Sequence, residues 1–251
     1  MKRLLSRSVM LSIAVTAMFF HGVASPANAA EAVQLKKGDN VVFIGGTLAE
    51  REQYFGHIEA QIHALYPDLN ISVRNQGFTA DEVRFRPRSL DFGEPDKHLT
   101  LARADVIFAF FGFAESFHGE AGLATFEQEL RDFIAHTAKQ DYSGNGAPRV
   151  VLFSSIAHEN LNNSNLPDGS ASNPNIELYT KTMSKVCSET KTPFVDLFAL
   201  SLELYAANKA PLTFNGIHLS GDGYKVFAPA FAKAVFGKSA AASAISPEMT
   251  A

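Results

Sequence analysis

Val41-Val42-Phe43-Ile44-Gly45-Gly46-Thr47 is an apolar run that stops at a Gly-Gly-hydroxyl turn. A strand apolar on both faces fits a parallel sheet covered on both sides, and the turn sets a side-chain oxygen at its carboxyl end. Far downstream, Asn215-Gly216-Ile217-His218-Leu219-Ser220-Gly221-Asp222-Gly223-Tyr224 carries one histidine just ahead of a final helical pattern. A hydroxyl leaving an early strand and an imidazole delivered by a late loop are the parts of a hydrolase-type site.

Between these two stretches, β-like runs alternate with helical patterns. Residues 40–44, 69–73, 106–111, 149–153 and 194–196 read as strands. Phe55, Ile58, Ile62 and Leu65 recur at spacings of three and four, as do Phe126, Leu130, Phe133, Ile134 and Thr137. Ile176, Tyr179, Met183 and Val186 follow the same rule, residues 197–207 read as another helix, and Tyr224, Phe227, Phe231 and Val235 mark the last one. Asn173-Pro174 reads as an N-cap followed by proline at the first helical position. The alternation implies a doubly wound, three-layer α/β fold with a parallel sheet of about five strands. Ligands in such sheets bind outside the carboxyl ends of the strands. The functional loops are therefore expected at residues 45–47, 75–79, 112–116 and 154–159, joined by 215–218.

The N-terminus reads as an export signal. Lys2, Arg3 and Arg7 are its basic region, residues 9–20 its apolar stretch, and Ala27-Asn28-Ala29 its cleavage site. The apolar stretch is shorter than the roughly 20 residues a bilayer crossing needs. Residues 1–29 are expected to be removed, giving a periplasmic or secreted protein with no membrane span. A single domain is expected over 30–237 and a disordered Ala/Ser-rich tail over 238–251. Three of the 22 basic residues and none of the 26 acidic ones lie in the signal, which leaves 19 against 26, a net −7. No basic surplus remains to coat a nucleic acid. Hydrophobic residues at 46% suit a globular core. The single Cys187 sits in an apolar helical pattern and reads as a buried, inert thiol.

The loops at the strand ends resemble the SGNH/GDSL hydrolases, a group of esterases, lipases and carbohydrate deacetylases with a flavodoxin-like fold. The resemblance runs through nearly all of the chain beyond the signal, on four short blocks. Gly45-Gly46-Thr47 stands where the family has Gly-Asp-Ser. Gly77, in Asn75-Gln76-Gly77-Phe78-Thr79, matches the family's oxyanion glycine. Gly112-Phe113-Ala114-Glu115 matches Gly-x-Asn-(Asp/Glu) with Ala114 in place of the Asn, and Asn215-Gly216-Ile217-His218 matches Asp-x-x-His with an amide for the acid. The resemblance implies Thr47 as nucleophile, His218 as base and Asn215 as its orienter. Backbone N–H groups near Thr47, Gly77 and Ala114 would hold the oxyanion. It implies hydrolysis of a small-molecule or glycan ester, with no cofactor and no metal.

Three of those positions depart from the pattern, each with a physical consequence. The Thr47 methyl stiffens χ1 and crowds an attack trajectory. An oxyanion-hole donor lost at position 114 costs about 10²–10³ in rate. The acid-to-amide change beside the histidine of a serine protease costs about 10⁴. Two readings follow: an exported esterase, or a catalytically silent module of the same fold that binds a glycan or a partner protein.

The remaining polar residues have plainer readings. Ser116 reads as a helix cap rather than a nucleophile, and Ser220-Gly221-Asp222 as an N-cap and first turn. Ser154-Ser155 reads as loop lining. His118-Gly119-Glu120 and His158-Glu159 fit no metal-ligand spacing. Arg84-Phe85-Arg86-Pro87-Arg88 reads either as an anion site or as partners of Asp81, Glu82, Asp91 and Glu94. Phe78, Phe85, Phe92, Phe113 and Phe117 read as core or as aromatic walls of a pocket.

Overall fold

The computed structural model describes residues 33–88, 91–246 and 249–250. The expected export signal lies outside them. Five strands form one all-parallel sheet in the order β2-β1-β3-β4-β5: β1 Asn40–Gly45, β2 Ser72–Asn75, β3 Val106–Phe110, β4 Arg149–Phe153 and β5 Phe194–Val195. This is the flavodoxin-like order, whose direction of winding reverses between β1 and β3. Seven helices lie in the described residues: α1 Thr47–Glu52, α2 His57–Leu65, α3 Pro95–Leu101, α4 Leu123–Thr137, α5 Asn173–Thr190, α6 Leu197–Ala207 and α7 Gly221–Phe236.

The period-2 alternation of the strands divides the core into two layers. Val41, Phe43, Phe108, Phe110, Val151 and Phe153 face α2 and α7, packing on Ile58, Ile62, Tyr224, Phe227 and Phe231. Val42, Ile44, Ile107, Ala109 and Leu152 face the opposite side, against Leu99 of α3, Phe126 and Leu130 of α4, and Tyr179, Met183 and Val186 of α5. Cys187 belongs to that second layer, and burial pushes its thiol up to about 12.

Several sequence expectations shift by a few residues, for identifiable reasons. The second strand begins at Ser72 rather than at residue 69. Pro67–Leu69 forms a 3-10 turn, and Asn70 reverses the chain at φ 48, a conformation asparagine tolerates. The helix expected from Phe55 starts at His57, because Gly56 sits at φ 64. Asp196 is not strand but the N-cap of α6, accepting from the Ala199 N–H at 2.8 Å. The α5 helix takes Ser172 as N-cap. The Asn173 side chain instead grips both the N–H and the C=O of His158, at 2.7 and 2.9 Å. Ser116 does not cap a helix: it is buried in a 3-10 stretch over Glu115–Gly122, and its hydroxyl donates to Phe113 O. In the tail expected to be disordered, the Ala240 N–H donates to Gln61 Oε1 and Ala242–Ala244 forms a 3-10 turn.

Candidate active site

Thr47 is the first residue of α1, at the carboxyl end of β1 and beside the point where the winding reverses. Glycine at 45 makes this placement possible. Its φ is +111, and a Cβ there would lie 2.0 Å from Phe110 O. Without one, β1 runs tightly along β3, and the Gly46 N–H reaches Phe110 O at 3.0 Å. Gly46 O then accepts from the N–H groups of Ala49 and Glu50. The first-turn N–H groups of Thr47 and Leu48 have no carbonyl within their own helix. Tyr224 ties the turn to α7 by donating its hydroxyl to Leu48 O at 2.7 Å.

The histidine loop is held by a buried carboxylate, Glu159, which the sequence reading weighed only as a metal ligand. Glu159 accepts from the Leu212 N–H, the Thr213 N–H and the Thr213 hydroxyl at 2.6–3.1 Å. The Thr213 hydroxyl oxygen in turn accepts from the Gly216 N–H, and the Glu159 N–H donates to Gly216 O at 2.7 Å. Gly216 (φ +91) packs on His158, whose Nε2 would be 2.4 Å from a Cβ at 216. Glu159→Gln places an amide N–H₂ against one of these donors, and it is expected to destabilise the fold by about 1–3 kcal/mol. The midpoint of urea unfolding would measure this loss.

Within that loop Asn215 and His218 meet at 3.0 Å, Asn215 Nδ2 to His218 Nδ1. The direction of this bond decides the chemistry. Asn215 Oδ1 accepts from the backbone N–H groups of Ile217 and His218, at 3.3 and 3.0 Å. That fixes the amide, so the N–H₂ end faces the ring. A donor aimed at Nδ1 requires a lone pair there, and the neutral ring then carries its proton on Nε2. A general base for Thr47 needs the reverse. Burial, then Arg51, lower the pKa of His218, while Glu50 opposes them.

Thr47, Ala114, Ser155, Ile156, Ile217 and His218 line one cleft of about 50 Å³, with Phe110, Phe111 and Phe113 as apolar wall. The structure brings Thr47, Ala114 and His218 together here, with Asn215 behind the histidine. It does not bring Gly77. The Gly77 N–H donates to Asn75 Oδ1 at 2.9 Å, and a Cβ on it would strike Ala49 and Glu50. Gly77 therefore packs behind α1, where it lets β2 approach, and its N–H is not available to an oxyanion.

Other candidates resolve into structural roles. Ser154 is fully buried and accepts from the N–H groups of Leu197 and Phe198, capping α6. Asp81 is buried at the cleft wall and pairs bidentately with Arg88, at 2.5 and 2.9 Å, with Arg86 Nε at 3.8 Å. That settles the basic cluster as partners of Asp81, apart from Arg84, which reaches Asp132 at 3.8 Å. Glu115 clamps the Gly112 and Val83 N–H groups at 2.8 and 3.0 Å, and burial pushes its carboxyl up to about 7. No group of three or more metal-ligating side chains is present among the described residues. Of the five aromatic residues considered for the pocket, Phe113 lines it, while Phe78, Phe85, Phe92 and Phe117 are exposed.

Sheet order and helix layers define a doubly wound, three-layer α/β fold. No protein-family model and no curated protein matches the chain in sequence. Solved structures do match in shape. Acetylxylan esterase Axe2 from Geobacillus stearothermophilus is 18% identical at a TM-score of 0.58, over 81% of this chain and 96% of that one. BT4096, a gut microbial diltiazem-metabolizing enzyme, is 20% identical at 0.62, over 82% of this chain and 49% of that one. LAE5, an alpha/beta hydrolase from the metagenome of Lake Arreo, Spain, is 17% identical at 0.58, over 80% and 96%.

Proposed function

We propose that the protein is a slow, exported hydrolase of small O-acyl esters, carried either by a glycan or by a small alcohol. One observation carries this reading: Thr47 and His218 line the same cleft at the carboxyl edge of the sheet. The Thr47 hydroxyl attacks the ester carbonyl and its proton passes to His218 Nε2. His218 then protonates the departing alcohol, and water repeats the sequence on the acyl-threonine. Backbone N–H groups of the first turn of α1 face the developing oxyanion. Turnover is slow because the His218 ring must first move its proton from Nε2 to Nδ1, and the Asn215 N–H₂ facing Nδ1 disfavours that tautomer. Similarity in shape to an acetylxylan esterase supports an acetyl-sized acyl group on a sugar.

The Asn215 amide also favours a second reading. A ring that presents Nε2–H beside a threonine hydroxyl binds a carbonyl oxygen without cleaving its ester, as a silent module would. Turnover of 4-nitrophenyl acetate by wild type and His218→Ala separates the two. The hydrolase reading expects weak wild-type activity that falls by about 10²-fold or more when the base is removed. Activity unchanged by the substitution would remove this cleft as its source.

A further inference from the structure

Most arginines in the described residues have partners. Arg84, Arg86, Arg88, Arg131 and Arg149 face carboxylates, and Arg74 and Arg103 donate to backbone carbonyls. Arg51 does neither: among the described residues its guanidinium has no ion pair or hydrogen bond, and its Nε is buried without a partner. It lies over aromatic rings instead, 4.9 Å from the centroid of Phe214 and 5.7 Å from that of Phe55. Phe214 is 53% exposed and stacks on the His218 ring at 5.7 Å and 20°. Arg51, Phe214 and His218 therefore form a stack that ends on the imidazole lining the cleft.

An idle guanidinium in a chain with 26 acidic and 22 basic residues calls for an explanation, because an unmet buried donor costs stability. Stacking on Phe214 holds the planar fork rigid and leaves its terminal nitrogens open, the arrangement in which arginine grips a carboxylate. The neighbouring Glu50 makes no ion pair with it, and its carboxylate accepts instead from the Thr79 hydroxyl. Arg51 is not among the residues that line the cleft around Thr47 and His218, so a group that meets it lies outside that cleft, on the alcohol half of the ester.

We infer that Arg51 is a specificity-determining residue: the ester this cleft takes carries a carboxylate on its alcohol half. The inference rests on the hydrolase reading only for the word ester, since the binding preference exists without turnover. Hydrolysis of 4-acetoxybenzoate is compared with that of its neutral isostere 4-acetoxybenzamide, in wild type and R51Q. Binding of the matching products, 4-hydroxybenzoate and 4-hydroxybenzamide, is followed on the His218 ring resonances. Wild type is expected to prefer the carboxylate about tenfold, the scale of one charge-assisted hydrogen bond. R51Q is expected to bring the ratio to near unity. If R51Q does not fold, the wild-type preference must still shrink as salt rises toward about 1 M. Equal binding of acid and amide by wild type, or a preference that R51Q retains, overturns the inference. A preference present in binding with no hydrolysis of either ester overturns the hydrolase reading and leaves Arg51 in its role.

Discussion

Asn215→Asp is expected to raise kcat/KM for 4-nitrophenyl acetate by about 10³-fold, toward the roughly 10⁴ that the reverse change costs a serine protease. The substitution preserves shape and inverts one hydrogen bond. Asp Oδ1 keeps the backbone N–H groups of Ile217 and His218 that Asn215 now holds. The second oxygen then faces His218 Nδ1 as an acceptor, where Asn215 Nδ2 is a donor. The ring proton moves to Nδ1, and Nε2 presents its lone pair to Thr47. The new carboxylate also raises the His218 pKa, against the lowering by burial and Arg51, so the acid limb of the pH–rate profile should move upward. Steady-state kinetics of N215D, with and without His218→Ala, measure this. A rate within threefold of wild type, or a gain that survives the loss of His218, contradicts the tautomer argument.

That argument also marks how far the sequence could be read. The strands β1, β3 and β4 were legible because each is an uninterrupted apolar run, and Arg149–Phe153 matches its expected span. The cleft was legible where side chains follow strand ends in chain order: Thr47, Ala114 and His218, read from three separate loops, line one cleft. The short α1 and α3 helices were not legible, because six or seven residues give too little periodicity, and Gly46 caps α1 without a side-chain signal. Asn215 could be seen to weaken the base, but not in which direction its amide points, since two backbone N–H groups that exist only in the folded loop decide that. The clamping roles of Glu159 and Glu115 went unread for a related reason. Each clamps segments that are distant in sequence, 53 residues in the case of Glu159 and Leu212, so no local pattern records the partnership. Gly77 shows the converse error: a motif glycine matched in sequence, yet its N–H is taken by Asn75.

The largest stability effect is expected from a carboxylate that the chemistry does not use. Glu52, at the last position of α1, is 2% exposed. Its Oε1 accepts from the Ile58 N–H at 2.5 Å and from the Glu59 N–H at 3.3 Å, while its Oε2 is buried without a partner. Burial raises its pKa from 4.5 to about 8, despite those two backbone donors. The sign follows from where the proton prefers to be. Below the unfolded value both states are protonated, so no penalty arises. Between 4.5 and about 8 the folded state keeps a proton that the unfolded state releases, so stability falls as pH rises. At about 1.4 kcal/mol per unit, the loss is on the order of 4–5 kcal/mol by pH 8. Glu52→Gln keeps the acceptor for Ile58 and removes the titration. Its urea midpoint should match that of wild type near pH 4 and exceed it increasingly toward pH 8. Parallel stability profiles for the two proteins over that range would show that Glu52 is ionised in the fold, and that its buried oxygen has found a partner.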